Sequence, residues 1–68
     1  MHLSDDERTL LLLYYEETRN GTLVNLRRMR TELQADEEEL RNLTDAVIRK
    51  LEALTEDEFQ KLELFEGR

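Results

Sequence analysis

Helix-capping signals divide this chain of 68 residues into short segments. In a capping box, a serine, threonine or aspartate side chain accepts a hydrogen bond from the amide three residues later, and a glutamate at that later position returns one. The pattern occurs three times, and a threonine directly after Asn20-Gly21 is a fourth candidate cap, because a glycine there suits the end of a preceding helix. The candidates are Ser4 with Glu7, Thr22, Asp36 with Glu39, and Thr55 with Glu58. They predict helices over about 5–19, 23–34, 37–53 and 56–63.

The amino-acid composition favours helices over strands. The chain contains no proline and is rich in leucine, glutamate and arginine, whereas two valines and one isoleucine are the only aliphatic β-branched residues. The predicted connections are too short to act as flexible spacers, so consecutive helices should fold back on one another. We therefore predict an all-α fold, a small bundle of three main helices plus a short C-terminal helix, in a single domain over residues 1–68.

The third predicted helix has the clearest apolar pattern. Its leucines and valine recur at steps of three and four residues, which places them on one face, as is typical of a helix packed on a core. Together with apolar residues of the other helices, they form the predicted core: Leu10, Tyr14, Leu26, Leu33, Leu40, Leu43, Val47, Leu51, Leu54 and Phe59.

The first predicted helix has an apolar surface that is too wide for one side of a small bundle. The run from Leu10 to Tyr15 spreads around about 260° of its circumference. Either this helix is the central one, covered by the other three, or part of it faces a partner. Around the helix, Leu12 lies furthest from the other apolar residues and beside the acidic residues Asp5 and Glu16. It is therefore a candidate partner contact, although a single exposed leucine is ordinary.

Charge is distributed unevenly along this acidic chain, whose net charge is −7. Residues 22–35 are net positive, by three arginines against one glutamate, and every other part is net negative. Arg27, Arg30, Thr31 and Gln34 would share one helical face and are able to bind phosphates or base edges, as in a helix-turn-helix protein. The acidic body opposes binding to nucleic acid. The same arginines could instead be neutralised by carboxylates of helices 1 and 3, or could form a protein-binding face.

Two acidic runs, at residues 37–39 and 56–58, admit two interpretations. They could imitate the charge of DNA and occupy a basic site on another protein. However, both runs lie in the first turn of a predicted helix, where the helix dipole favours carboxylates, and this alone accounts for them.

The sequence offers little to an enzyme, a metal site or a membrane protein. It has no cysteine, a single histidine at position 2, and no glycine-rich phosphate loop. We therefore predict no catalytic, cofactor-binding or metal-binding residues. The longest apolar run has six residues, far fewer than the roughly 20 that a membrane span needs. Because the N-terminal residues are acidic, unlike a secretory signal, we expect a cytoplasmic protein that binds a partner.

Short motifs throughout the chain resemble those of one known family. In the first half they are Leu-x-x-Tyr at 11–14, Thr-Arg-Asn-Gly at 18–21 and Leu-Arg-x-Met at 26–29. The second half has Asp-Glu-x-Glu-Leu at 36–40, Leu-Thr at 43–44, Lys-Leu-x-x-Leu-Thr-x-x-Glu-Phe at 50–59, and Leu-Phe at 64–65. On these motifs the chain resembles the transposon-transfer assisting protein (TTRAP) family, short proteins of conjugative transposons.

The resemblance implies a small helical protein that assists the transfer of a mobile element, and it carries over no catalytic residues. From the charge, we expect the partner to be a basic protein of the transfer apparatus, since such proteins handle DNA. A small DNA-binding regulator that uses helix 2 is the alternative. The oligomeric state stays open. The candidate partner-binding residues are Arg27, Arg30, Thr31, Gln34 and Leu12.

Overall fold

Four helices make up the fold, in a computed structural model that describes residues 2–62. They are α1 (Asp5–Leu13), α2 (Arg19–Thr31), α3 (Glu38–Glu52) and α4 (Glu56–Gln60). No strand occurs between residues 2 and 62, and the predicted all-α fold is confirmed. The predicted end of the last helix, at residue 63, lies outside the described residues.

Capping boxes start α1 and α4 at the predicted positions. At α1, the Glu7 amide donates to Ser4 Oγ at 3.1 Å, and the Ser4 amide donates to Glu7 Oε1 at 2.8 Å. At α4, the Glu58 amide donates to Thr55 Oγ1 at 3.0 Å, and the Thr55 amide donates to Glu58 Oε1 at 2.9 Å. Each box satisfies backbone donors that the first turn of a helix leaves free.

The predicted boundary between the first two helices is wrong. α1 ends at Leu13, not near residue 19, and α2 begins at Arg19. The cap of α2 is Thr18, whose Oγ1 accepts from the Gly21 amide at 3.0 Å. Gly21 therefore lies in the first turn of α2, with φ negative, and does not end the preceding helix. A Cβ at this position would lie 3.1 Å from Glu16 Cβ, so the glycine lets the connection pass close to α2.

The other predicted caps also differ from the structure. Thr22 is not a cap but a buried residue inside α2. The box predicted for Asp36 with Glu39 does not form, because Glu37 is the cap residue of α3 and makes no side-chain cap bond. Glu37 Oε1 instead accepts from the backbone amide of Gln34 at 2.7 Å. This bond closes the turn that follows α2, which ends at Thr31 and not at residue 34.

The core lies where α3 meets its neighbours, since α3 packs against both α1 and α2, and α4 packs on α2. The first helix is therefore not central. Five of the predicted core residues are buried: Leu10, Leu26, Val47, Leu51 and Phe59. Four others pack half-buried against them, namely Tyr14, Leu40, Leu43 and Leu54, whereas Leu33 is half-buried outside this cluster. The cluster also contains Leu11, Leu23 and Ile48, which were not in the predicted core.

A buried ion pair joins the start of α1 to the end of α3. Glu7 is only 7% exposed, and its Oε1 accepts from Lys50 Nζ at 2.7 Å. Lys50 also donates to the His2 carbonyl at 3.0 Å. The hydrogen bond from Lys50, and after it the one from the Ser4 amide, lower the pKa of Glu7 below its ordinary value of 4.5 and outweigh the effect of burial.

Because the pKa of Glu7 is lower in the folded state than in the unfolded state, the pair stabilises the fold above pH 4.5 and loses this effect as the pH falls through the lowered pKa. We expect the stability of the Glu7→Gln variant to fall less than that of the wild type as the pH is lowered from 7 to below the pKa of Glu7. The urea midpoint at the two pH values would measure this difference. Glu38→Gln is the control, since Glu38 is exposed and forms no ion pair with the described residues. If both variants lost stability in parallel with the wild type, the pair would contribute nothing.

Candidate interaction surface

Two arginines of α2 are engaged by carboxylates of α3. Two guanidinium nitrogens of Arg30 donate to the Asp45 carboxylate. Nε donates to Oδ1, and Nη2 donates to Oδ2 at 3.2 Å. Arg27 also reaches from α2 to α3, where its Nη2 donates one hydrogen bond to Glu52 Oε2. The hydrogen bond from Arg30 lowers the pKa of Asp45, and the same bond raises the pKa of Arg30. The interpretation that these two arginines are neutralised is confirmed, with α3 supplying both carboxylates.

The other polar residues predicted to share this face, and Arg28 beside them, have different surroundings. Arg28 is exposed and has no ion pair with any residue in 2–62. Thr31, the last residue of α2, donates its hydroxyl to the Arg28 carbonyl at 2.7 Å. Gln34 lies beyond α2 in the turn to α3, where its carbonyl accepts from Arg41 Nη2 at 2.9 Å. The predicted face of four residues is therefore wrong at Gln34, because the helix ends before it.

We expect the double variant Arg27→Gln, Arg30→Gln to leave duplex DNA binding undetectable, as in the wild type, at about 0.15 M salt. The reason is that both arginines already face carboxylates in an acidic protein. Each lost pair should reduce the free energy of unfolding only slightly, as is typical of exposed pairs. Arg28→Gln is the matched control and should not change stability.

Titration of labelled duplex and urea unfolding would measure both effects. A sub-micromolar wild-type affinity for DNA that the double variant abolishes, with a salt slope lowered by about two units, would contradict this expectation.

Two large hydrophobic residues are exposed in the described chain. Leu13 is 72% exposed and Val24 is 50% exposed. Leu12, the predicted out-of-line residue, is half-buried and packs against the core. The exposed leucine is Leu13 because α1 ends there, with the Tyr14 amide turning back to the Leu11 carbonyl at 3.2 Å. Leu13 lies at the other end of the apolar arc from Leu12, and nothing in the sequence pattern favoured its exposure over that of Leu12.

The described chain was also compared with the requirements of a metal site and of a membrane-spanning helix. Residues 2–62 contain no group of three or more histidine, cysteine, aspartate or glutamate side chains placed to hold a metal ion. Among the helices of this segment, none combines the length and the apolar character needed to cross a membrane.

Comparison with known proteins identifies one family. The family model described as "Putative transposon-transfer assisting protein" (TTRAP) matches residues 3–66. No curated protein and no solved structure matches the chain. The family match spans both halves of the sequence, including the segments whose motifs carry the resemblance, and it extends over nearly the whole chain. The protein therefore belongs to the TTRAP family of transposon-transfer assisting proteins.

Proposed function

We propose that this protein is a non-catalytic accessory of a conjugative transposon and assists transfer by binding a basic protein of the transfer machinery. The observation that carries the proposal is the pairing of Arg27 with Glu52 and of Arg30 with Asp45. These pairs neutralise two of the three arginines in the one basic segment of the chain. What remains on the surface is mostly negative charge, in a protein of net charge −7.

Negative surface charge supports a basic partner for a general physical reason. Fields from exposed carboxylates guide an oppositely charged protein into the encounter and disfavour acidic partners. The proteins that handle DNA during transfer need basic surfaces for their own substrate. An acidic accessory is therefore able to bind such a protein and is repelled by the DNA beside it.

The alternative function, a small DNA-binding regulator, requires α2 to act as a recognition helix. With Arg27 and Arg30 held by α3, Arg28 is the one arginine of the basic segment 22–35 that has no carboxylate partner among residues 2–62. A single cation gives a weak electrostatic term against the repulsion of the acidic body. We therefore favour the protein partner.

The experiment is a deletion of the gene from its element, followed by measurement of transfer and of binding. We expect the transfer frequency to fall and to recover when the wild-type gene is supplied in trans. Purified components of the transfer apparatus are then titrated with the protein between about 0.05 and 0.5 M salt, and binding should weaken as exposed charges are screened. Unchanged transfer, or tight binding to duplex DNA alone, would contradict the proposal.

A further inference from the structure

Asn20 and Gly21 form a chemically labile pair of residues. The side-chain carbonyl of an asparagine is open to attack by the backbone nitrogen of the next residue, and a glycine there makes the attack easiest because it has no side chain to block the approach. Asn20 is followed by Gly21, whereas the other two asparagines, Asn25 and Asn42, are each followed by leucine. Asn20 is therefore the asparagine of this chain that stands in the reactive context.

The surroundings of the Asn20 side chain leave it open to this reaction. Asn20 is exposed in the first turn of α2, and its side chain has no hydrogen-bond partner among residues 2–62. Asn25, by contrast, donates its side-chain amide to Glu16 Oε2 at 2.9 Å. Neither packing nor a hydrogen bond in the described chain protects the amide of Asn20.

The attacking group, the Gly21 amide, is held by the cap of α2. Its N–H donates to Thr18 Oγ1 at 3.0 Å, and the Thr22 amide donates to the Thr18 carbonyl at the same distance. The helical backbone also directs the Gly21 nitrogen along the helix axis, away from the side chain of Asn20. The nitrogen reaches the Asn20 carbonyl only after this turn opens, and the ends of helices open more easily than their middles.

We propose that Asn20 is a site of spontaneous deamidation, whose rate is set by the Thr18 cap through the opening of the first turn of α2. In the open turn, the Gly21 nitrogen loses its proton and forms a bond to Asn20 Cγ. The bond from Cγ to Nδ2 then breaks and ammonia leaves. Water adds to either carbonyl of the cyclic imide and gives aspartate or isoaspartate at position 20. Overall, the reaction consumes water, releases ammonia and adds a negative charge.

The two products differ in their effect on the fold. Aspartate keeps the length of the backbone and places a carboxylate in the first turn of α2, which has no acidic residue and where the helix dipole favours one. Isoaspartate inserts a methylene group into the backbone between the amides of Arg19 and Gly21. These amides donate to Glu56 Oε1 and to Thr18 Oγ1. The lengthened turn cannot keep both bonds in this geometry, so isoaspartate should destabilise the domain more than aspartate does.

The test incubates the full chain at physiological temperature and mildly alkaline pH, and follows each asparagine by peptide mass mapping. We expect modification at Asn20 and not at Asn25 or Asn42, at a rate well below that of the same chain unfolded in guanidinium chloride. Thr18→Ala should accelerate the modification about fivefold, which is what the loss of a threonine cap implies for the opening of the turn. Thr18→Ser keeps a capping hydroxyl and should react as slowly as the wild type.

Val47→Ala is the control for unfolding of the whole domain. Val47 is fully buried in α3, so the variant lowers the stability of the domain without altering the cap. Because the opening of the first turn of α2 is local, its rate of deamidation should equal that of the wild type. Hydrogen exchange of the Gly21 amide, measured by NMR, reports the same opening and should rise in proportion to the deamidation rate across the variants.

Equal acceleration by Thr18→Ala and Val47→Ala would show that Asn20 reacts only from the unfolded chain and would overturn the role of the cap. A wild-type rate equal to that of the unfolded chain would overturn it too, because the fold would then give no protection. An unmodified Asn20 in a Thr18→Ala protein that circular dichroism shows to be folded would rule out the site. If Thr18→Ala does not fold, wild-type deamidation that fails to follow the exchange of the Gly21 amide would rule out the mechanism.

Discussion

Replacing Phe59 with alanine should destabilise the domain by about 3–5 kcal/mol, a large part of what a protein of this size has. Phe59 is 2% exposed and stacks on Tyr15, with the ring centroids 5.7 Å apart. It is the buried residue of α4, which is only one turn long and has little stability of its own. The alanine variant would lose the burial of the ring and leave a cavity between α4 and the connection before α2.

Thermal unfolding followed by circular dichroism would measure this loss. A drop of more than about 10 °C is expected, since each kcal/mol shifts the midpoint of such a small domain by about 4–8 °C. Phe59→Leu is the control, because it keeps most of the apolar volume and should lose much less stability. If the alanine variant lost less than about 1 kcal/mol, α4 would not be packed on the domain as described.

Hydrogen bonds also hold α4 on the domain, beside the packing of Phe59. Arg19 Nε donates to the Leu54 carbonyl and the Arg19 amide donates to Glu56 Oε1, both at 2.9 Å. Gln60 Nε2 donates to the Glu17 carbonyl at 2.7 Å. The bonds of Arg19 join the start of α4 to the first residue of α2, and the bond of Gln60 joins the end of α4 to the α1–α2 connection. Because these bonds are exposed or only partly buried, we attribute most of the stabilisation of α4 to Phe59 and not to them.

Local signals predicted those parts of the fold that local physics decides. Both true capping boxes, at Ser4 and Thr55, are closed within three residues, so their sequence is sufficient to specify them. The face of α3 was equally clear, because the steps of three and four residues that lead to Val47 and Leu51 reflect burial against two neighbouring helices. In these segments, the propensity, the pattern and the packing agree.

The failures occurred where two local signals competed. Asn20-Gly21 is a good helix end, and Thr18 is a good helix start, and the two cannot both operate. The choice depends on the close approach of Glu16 to Gly21, which no window of sequence shows. In the same way, the box predicted for Asp36 with Glu39 does not form, and Glu37 instead accepts from the Gln34 backbone amide in the tight turn between α2 and α3.

The candidate surface was predictable in its charge but not in its geometry. Net charge and the position of the three arginines are properties of the sequence, and they indicated that neutralisation would decide the role of α2. The sequence does not show which carboxylates neutralise the arginines. The relative placement of α2 and α3 selects Asp45 and Glu52. The exposed leucine could not be identified either, because the exposure of Leu12 and Leu13 depends on where α1 ends and on the direction from which α3 packs on it.

Replacing Thr22 with valine should reduce the free energy of unfolding by about 1–3 kcal/mol, although the two side chains have nearly the same shape. Thr22 is fully buried, and its Oγ1 accepts from the Glu16 amide at 2.9 Å while donating to the Thr18 carbonyl, also at 2.9 Å. Valine would leave the Glu16 amide without its partner in the connection that precedes α2. The hydroxyl was predicted to cap a helix and instead fixes the turn that leads into one.

Thr44→Val is the matched control, because Thr44 is equally buried but only donates its hydroxyl, to the Leu40 carbonyl at 2.7 Å. That carbonyl keeps its helical hydrogen bond within α3, so no backbone group loses its only partner. Urea unfolding of both variants and of the wild type would show the difference directly. A Thr22→Val protein as stable as the Thr44→Val protein would mean that water satisfies the Glu16 amide, and that the α1–α2 connection does not depend on this hydroxyl.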